Sequence, residues 1–328
     1  MLLKILKSNR AVNFFLFPLL GILFWLKSLV SPRVYPFYSG ETDNILYKPI
    51  HNLAIEIPIL QIIIPLILII GMALIMLQLN NRYNIIRIRT MLPAPLFILV
   101  VSGFSDLHAL HPVYFAAFFV LLAIYRLFSA FDEVKPYSPA FDSGFFLGVA
   151  SLFYLNVFLL FPAFLIGLGV LTREPRWREY TVGFIGFVLP FIFAFSFVFV
   201  WGNVSELLEI LELNITTKVG NIKSNLPVLG YLTFMLILVL LGSFKILQQY
   251  DTKKVRTRKY FIVFFLVFLF LMFSFILVPA TSIEIFVIAA IPLTFLLANF
   301  FVFLKSRFWG EFWFSLLLIA VLVMEMLA

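Results

Sequence analysis

The sequence predicts an all-α fold, a polytopic bundle of transmembrane helices, and three observations predict it. First, 63% of the 328 residues are hydrophobic and only 12% are charged, about half the charge of a soluble domain. Second, the apolar residues gather into about eleven runs, near 12–30, 57–79, 91–104, 112–130, 144–155, 158–172, 181–201, 227–247, 260–278, 284–304 and 311–327. Most of these approach the roughly 20 residues that a helix needs to span the hydrocarbon core, where backbone amides must bond internally. Third, threading the runs through a bilayer leaves only five of the 24 Lys and Arg residues (Lys27, Arg33, Lys48, Lys218 and Lys223) on one side and 19 on the other. Such a bias marks the cytoplasmic side. The net charge of +8 is therefore read as topogenic and lipid-attracting, not as a nucleic-acid signal. The absence of cysteine excludes disulfides, thiolate metal sites and a Cys nucleophile.

Lys4, Lys7 and Arg10 precede the first run, and no small-residue cleavage pattern follows it. That run is expected to be an anchor helix with its N-terminus in the cytoplasm, not a signal peptide. The run at 91–104 is short and holds Pro93 and Pro95. The stretch 144–172 has 29 residues, too many for one upright span and too few for two. Arg173, Arg176 and Arg178 follow it. A single crossing would turn these and the basic stretch 253–259 outward. A hairpin of two short helices turning near Asn156 keeps them inside, so the hairpin is predicted. The chain is then one integral domain, 1–328, of the inner (cytoplasmic) membrane, with outer loops at 31–56, 105–111, 202–226 and 279–283.

The first outer loop carries Tyr35, Tyr38 and Tyr47 among Pro32, Pro36 and Pro49, a composition suited to the headgroup region. Gly40-Glu41-Thr42-Asp43 reads as a turn before a helix over 44–55, with Asp43 as its N-cap. The functional alternative makes Asp43 or Glu41 a general base held at the membrane surface. Arg33 and Lys48 stand beside it, with Tyr47 and His51, as residues that would bind a phosphate-bearing substrate. In the second outer loop, Asp106, His108 and His111 converge if 106–111 forms a turn. Asp and His ligands suit a transition metal such as Mn²⁺ better than Ca²⁺. The alternative is a polar turn that ends at Pro112 and caps the next span.

In the third outer loop Glu206, Glu209 and Glu212 recur every third residue behind Asn203. That spacing predicts an amphipathic surface helix with a solvated or partner-binding acidic face. No internal repeat and no midplane acid of the kind a coupled carrier uses is apparent, so a lipid or solute transporter ranks third among the readings.

One span, an outer loop with the acids of Gly40-Glu41-Thr42-Asp43-Asn44-Ile45-Leu46-Tyr47, and an amphipathic stretch into the second span together resemble the start of GT-C-type glycosyltransferases. The glycine-marked run from Asp142 to Leu152 and the Arg-rich turn 173–178 resemble later parts of the same fold. The likeness covers residues 10–200; 201–328 would add further transmembrane helices, with the amphipathic loop 202–226. The acids here are split by Thr42. The resemblance implies transfer from a polyprenyl-phosphate-linked donor at the outer face, with Asp43 or Glu41 as base. It also implies that Asp106 joins a divalent metal (Mn²⁺ or Mg²⁺), with membrane lipid as the partner. The rival expectation is a non-catalytic membrane subunit that anchors or assembles a bacterial envelope complex with a partner subunit.

Overall fold

A computed structural model describes residues 2–7, 12–31, 35–38, 40–174, 176–217 and 226–327. Arg33, Lys218 and Lys223 therefore lie outside the described residues. The described chain is helical: α1 (Leu2–Lys7), α2 (Val12–Phe24), α3 (Leu26–Val30), α4 (Lys48–Glu56), α5 (Leu60–Tyr83), α6 (Pro93–Ser102), α7 (Pro112–Ser129), α8 (Tyr137–Phe153), α9 (Phe161–Leu171), α10 (Trp177–Trp201), α11 (Val204–Thr216), α12 (Leu226–Gln248), α13 (Val255–Leu277), α14 (Ile285–Phe303) and α15 (Arg307–Leu327). Among the described residues seven of these, α5, α7, α10, α12, α13, α14 and α15, are long and apolar enough to cross a membrane. The protein is an all-helical membrane protein.

Burial sorts the helices into centre and rim. All ten residues of α6 are buried, and 89% of the apolar window of α14 is buried against 22% for α10. An all-round apolar helix fits either a protein core or a lipid-facing span, and packing against α6, α7, α12 and α13 places α14 at the centre. By contrast, α10 leaves Phe184, Phe193, Phe197, Phe199 and Trp201 exposed, the surface expected toward lipid tails.

Stretch 144–172 folds back on itself. Helix α8 breaks at Tyr154, a 3-10 turn (Leu155–Leu160) carries the buried Asn156, and α9 returns. Its end lies beside the connection between α7 and α8: Asp132 N–H donates to Leu171 O at 3.2 Å and Arg173 N–H to Glu133 O at 3.4 Å. The proline-bearing α6 and the turn near Asn156 are as the runs suggested, but α8 starts at Tyr137, ahead of the expected 144, and so is longer than the run implied.

Contacts also sort the connections onto two faces. On one, Phe128 O accepts from Tyr260, Asn299 from Lys253, and Thr90 Oγ1 donates to Lys7 O. On the other, the connections after α3, α6, α10 and α13 meet in one polar cluster, described below. The first is called here the basic face and the second the loop face.

Glycines let α8 and α10 approach closely. A Cβ on Gly144 would fall on the Gly183 carbonyl, and one on Gly148 on the Phe187 carbonyl, the close backbone approach typical of small residues in membranes. Gly148→Val should lower the melting temperature of the purified protein, since overpacking costs about 1–3 kcal/mol. Gly71→Ala and Gly230→Ala, whose surroundings are open, should leave it unchanged. Equal melting of Gly148→Val and wild type would contradict this packing.

Candidate functional site at the loop face

The site begins with a turn that only glycine can make. Gly40 has φ +90°, and a Cβ there would meet Leu213 Cβ of α11 at 2.9 Å. The turn drives Glu41 inward, where the residue is fully buried. Its Oε1 lies 2.7 Å from Nε2 of His111, also fully buried. The approach is off the hydrogen-bond direction, and neither atom has another hydrogen-bond partner. His111 Nδ1 accepts the N–H of Val113 at 3.1 Å and so caps α7. The neutral ring must then carry its proton on Nε2, facing Glu41.

A second carboxylate stands beside this pair. Glu284, buried before α14, accepts from Tyr154 Oη at 3.2 Å, from the Ser282 N–H at 2.9 Å and, on its other oxygen, from Tyr35 Oη at 3.3 Å. Tyr35 packs edge-on to His111, with centroids 4.7 Å apart, and Phe37 stacks on its face at 5.7 Å. Burial raises the Glu284 carboxyl above the usual range, with Glu41 adding and His111 opposing. Burial, then the neighbouring carboxylates, also pushes the phenols of Tyr35 and Tyr38 up, so both remain hydrogen-bond donors. Asn214 of α11 closes the cluster. It donates to Gly40 O at 3.0 Å and accepts from Tyr38 Oη at 3.3 Å.

Asp43 faces the other way. The helix after it starts at Lys48 with Tyr47 at its N-cap position, so Asp43 does not cap a helix over 44–55 as the sequence suggested. One further turn, 45–47, intervenes, and Asn44 uses its side chain to hold Glu41 O at 3.0 Å. Asp43 instead lies 3.4 Å from Lys48 Nζ, which also reaches Glu206 of α11 at 3.2 Å. The Glu206 hydrogen bond, then Asp43, holds the Lys48 ammonium above its ordinary range.

Between these groups and the membrane helices lies an apolar groove of about 150 Å³. Helices α8 and α10 line it with Ser151, Leu152, Phe191 and Phe195; Leu207, Ile210 and Leu211 of α11 roof it. It reaches the first loop at Asn44 and Ile45, next in sequence to Asp43. Neither Asp43 nor Asp106 lines it.

The other residues predicted for this face take different places. Tyr47 is fully buried and donates to Leu110 O at 3.2 Å, so it holds loop to loop. His51 is half-buried against Phe37 and Tyr47, and burial lowers its pKa against the opposing pull of Asp43. Asp106, His108 and His111 do not converge. Asp106 is exposed. His108 stacks on Trp25 at 4.3 Å, with Nε2 3.1 Å from Ser102 O and Nδ1 3.3 Å from Glu325 Oε1. His111 is committed to Val113 and Glu41. Among the described residues no group of three His, Asp or Glu side chains is placed to hold a metal, and this donor set does not fit one. Asn203 does cap α11, accepting from the Ser205 N–H at 3.1 Å, and Glu206, Glu209 and Glu212 are exposed. Sequence reasoning passed over Glu284, Tyr154 and Asn214 as site residues. An acid directly before a span reads as a helix-end charge, and nothing local shows that it turns inward.

Over residues 45–327 the chain matches a family of unknown function, DUF6427, and it belongs to that family. No curated protein and no solved structure matches it.

Burial lowers His108 to about 3, so the folded state favours the neutral ring. That stability is complete above the unfolded value near 6.5 and is lost as pH falls toward 3. Lowering the pH from 7.5 to 5 should cost wild type about 2 kcal/mol through this residue. Melting curves at the two pH values should therefore differ less for His108→Gln than for wild type. An equal drop in both would show that His108 is not held neutral.

Proposed function

We propose that this protein is a GT-C-like membrane enzyme that takes a group from a polyprenyl-phosphate-linked donor at the outer face of the bacterial inner membrane. The groove beneath α11 carries this reading. It is apolar, it opens among membrane helices, and it ends one residue from Asp43, whose carboxylate sits against the Lys48 ammonium. An isoprenoid chain would lie in the groove with its phosphate at Lys48. Asp43 would accept the proton of an acceptor hydroxyl as the new carbon–oxygen bond forms. The bond from sugar carbon to phosphate oxygen would break, and the lipid phosphate would leave with its charge opposite Lys48. No metal is assigned. In this reading the basic face is cytoplasmic by its charge, the N-terminus lies there, and the short helices bring the number of membrane segments toward eleven.

A second reading is a non-catalytic subunit of an envelope complex. The exposed acidic face of α11, with Leu208 and Ile215 exposed beside it, favours a partner surface. Glu41 and Glu284 being spent on internal contacts favours it too.

The two separate by mutation. Because Asp43 caps no helix, both Asp43→Asn and Asp43→Ala are clean tests; its exposed ion pair is worth at most about 1 kcal/mol. Each should keep expression and lower activity roughly 10²–10⁴-fold, read as failure to complement a gene deletion. Leu152→Trp, which fills the groove, should fail likewise. Full complementation by Asp43→Ala and by Leu152→Trp would overturn the enzyme reading in favour of the subunit.

A further inference from the structure

At the basic face, Arg82 in the last turn of α5 and Arg256 in the first turn of α13 converge on one ring. Their guanidinium carbons lie 5.6 and 5.5 Å from the centroid of Tyr83. Each is anchored by one tyrosine: Arg82 donates to Tyr125 Oη at 2.7 Å, and Arg256 Nε donates to Tyr260 Oη at 2.7 Å. These tyrosines are themselves fixed, Tyr83 donating to Tyr125 O and Tyr260 to Phe128 O. Lys259 adds its ammonium 5.7 Å from Phe131, the ring that also carries Arg256 at 5.4 Å.

Neither arginine is in an ion pair with a carboxylate of the described residues. Arg126 close by is different, since Asp142 accepts from its Nε and from a second nitrogen. Asp132 and Glu133, in the turn after Phe131, are exposed and form no ion pair with Arg82 or Arg256. An arginine has five N–H donors. With one spent on a phenol, most of each guanidinium is left over, aimed by an aromatic platform and not neutralised. Topogenic charge requires only that cations be present on a face; it does not require two of them to be fixed on a common ring. The cluster also sits at the ends of two helices long and apolar enough to cross a membrane, near exposed Ile88 and Val255, where span ends meet headgroups.

We propose that Arg82 and Arg256, with Lys259, form a binding site for the phosphate of an anionic phospholipid of the surrounding bilayer. Guanidinium groups suit phosphate oxygens through paired N–H donors, and basic pockets between transmembrane helices are suited to such headgroups. The site is independent of the loop-face groove and does not rest on the function proposed for it.

Full-length protein in nanodiscs of phosphatidylethanolamine with spin-labelled phosphatidylglycerol or cardiolipin reads the proposal directly. Wild type should immobilise the anionic label more than a labelled phosphatidylethanolamine. Arg82→Gln with Arg256→Gln should weaken that preference about thirtyfold, as expected for removing two interfacial charges. Arg87→Gln with Arg89→Gln, which removes two exposed charges from the same connection, should change it much less. Equal loss in the two double variants would reduce the effect to diffuse charge and overturn the site. So would full displacement of the lipid by millimolar inorganic phosphate, because a free anion would then be the ligand. Melting temperatures of both variants in detergent separate misfolding from lost binding, and the single Arg82→Gln, whose side chain is exposed, supplies a folded variant in which a partial loss is still expected.

Discussion

Glu41, His111 and Glu284 come from three connections far apart in the chain and meet with almost no exposure to water. Desolvating two carboxylates and an imidazole is costly, and removing one member of such a set typically costs about 3–5 kcal/mol, because the survivor is left unpaired. The loop face can therefore close in few ways. Glu41 can turn inward only if Gly40 adopts its left-handed turn, and Gly40 is seated against α11 through Leu213 and Asn214. His111 meets Glu41 only while its other nitrogen caps α7. Glu284 needs Tyr35 from the first loop and Tyr154 from the hairpin. The buried polar centre thus fixes the first loop to the membrane helices, and that in turn sets Asn44 and Ile45, next in sequence to Asp43, at the groove.

This arrangement divides the acids by task. Glu41 and Glu284 are held by internal partners and shape the loop face. Asp43 remains at the surface with a cation beside it and an apolar channel close by. A chain that offered only the buried pair would read as a scaffold; the proposed function rests instead on the exposed Asp43–Lys48 pair next in sequence to the apolar groove. The basic face repeats the combination in another form, with guanidinium groups over aromatic rings at helix ends.

Much of the fold was legible because membrane helices announce themselves through long apolar runs. The hairpin at 144–172 was legible for a different reason: its length fits neither one span nor two, and the arginines behind it demand a return. Interior and rim were not legible, since α10 and α14 are both apolar on all sides and only packing decides which faces lipid. At the site, the first loop and Asp43, Glu41 and His111 stood out by residue type. Their grouping did not. Asp106, His108 and His111 are neighbours in sequence, yet Trp25 draws one histidine toward α3 and Glu41 draws the other toward the first loop. Glu284 and Asn214 join the centre through contacts spanning more than 170 residues, which no local pattern encodes.

The most direct test is a cryo-EM reconstruction of the protein extracted with its native lipids into nanodiscs. A continuous isoprenoid-like density in the groove between α8, α10 and α11, with its headgroup at Lys48 and Asp43, is the predicted result. A groove closed by protein side chains, or a lipid whose headgroup lies at the opposite face, would contradict the account.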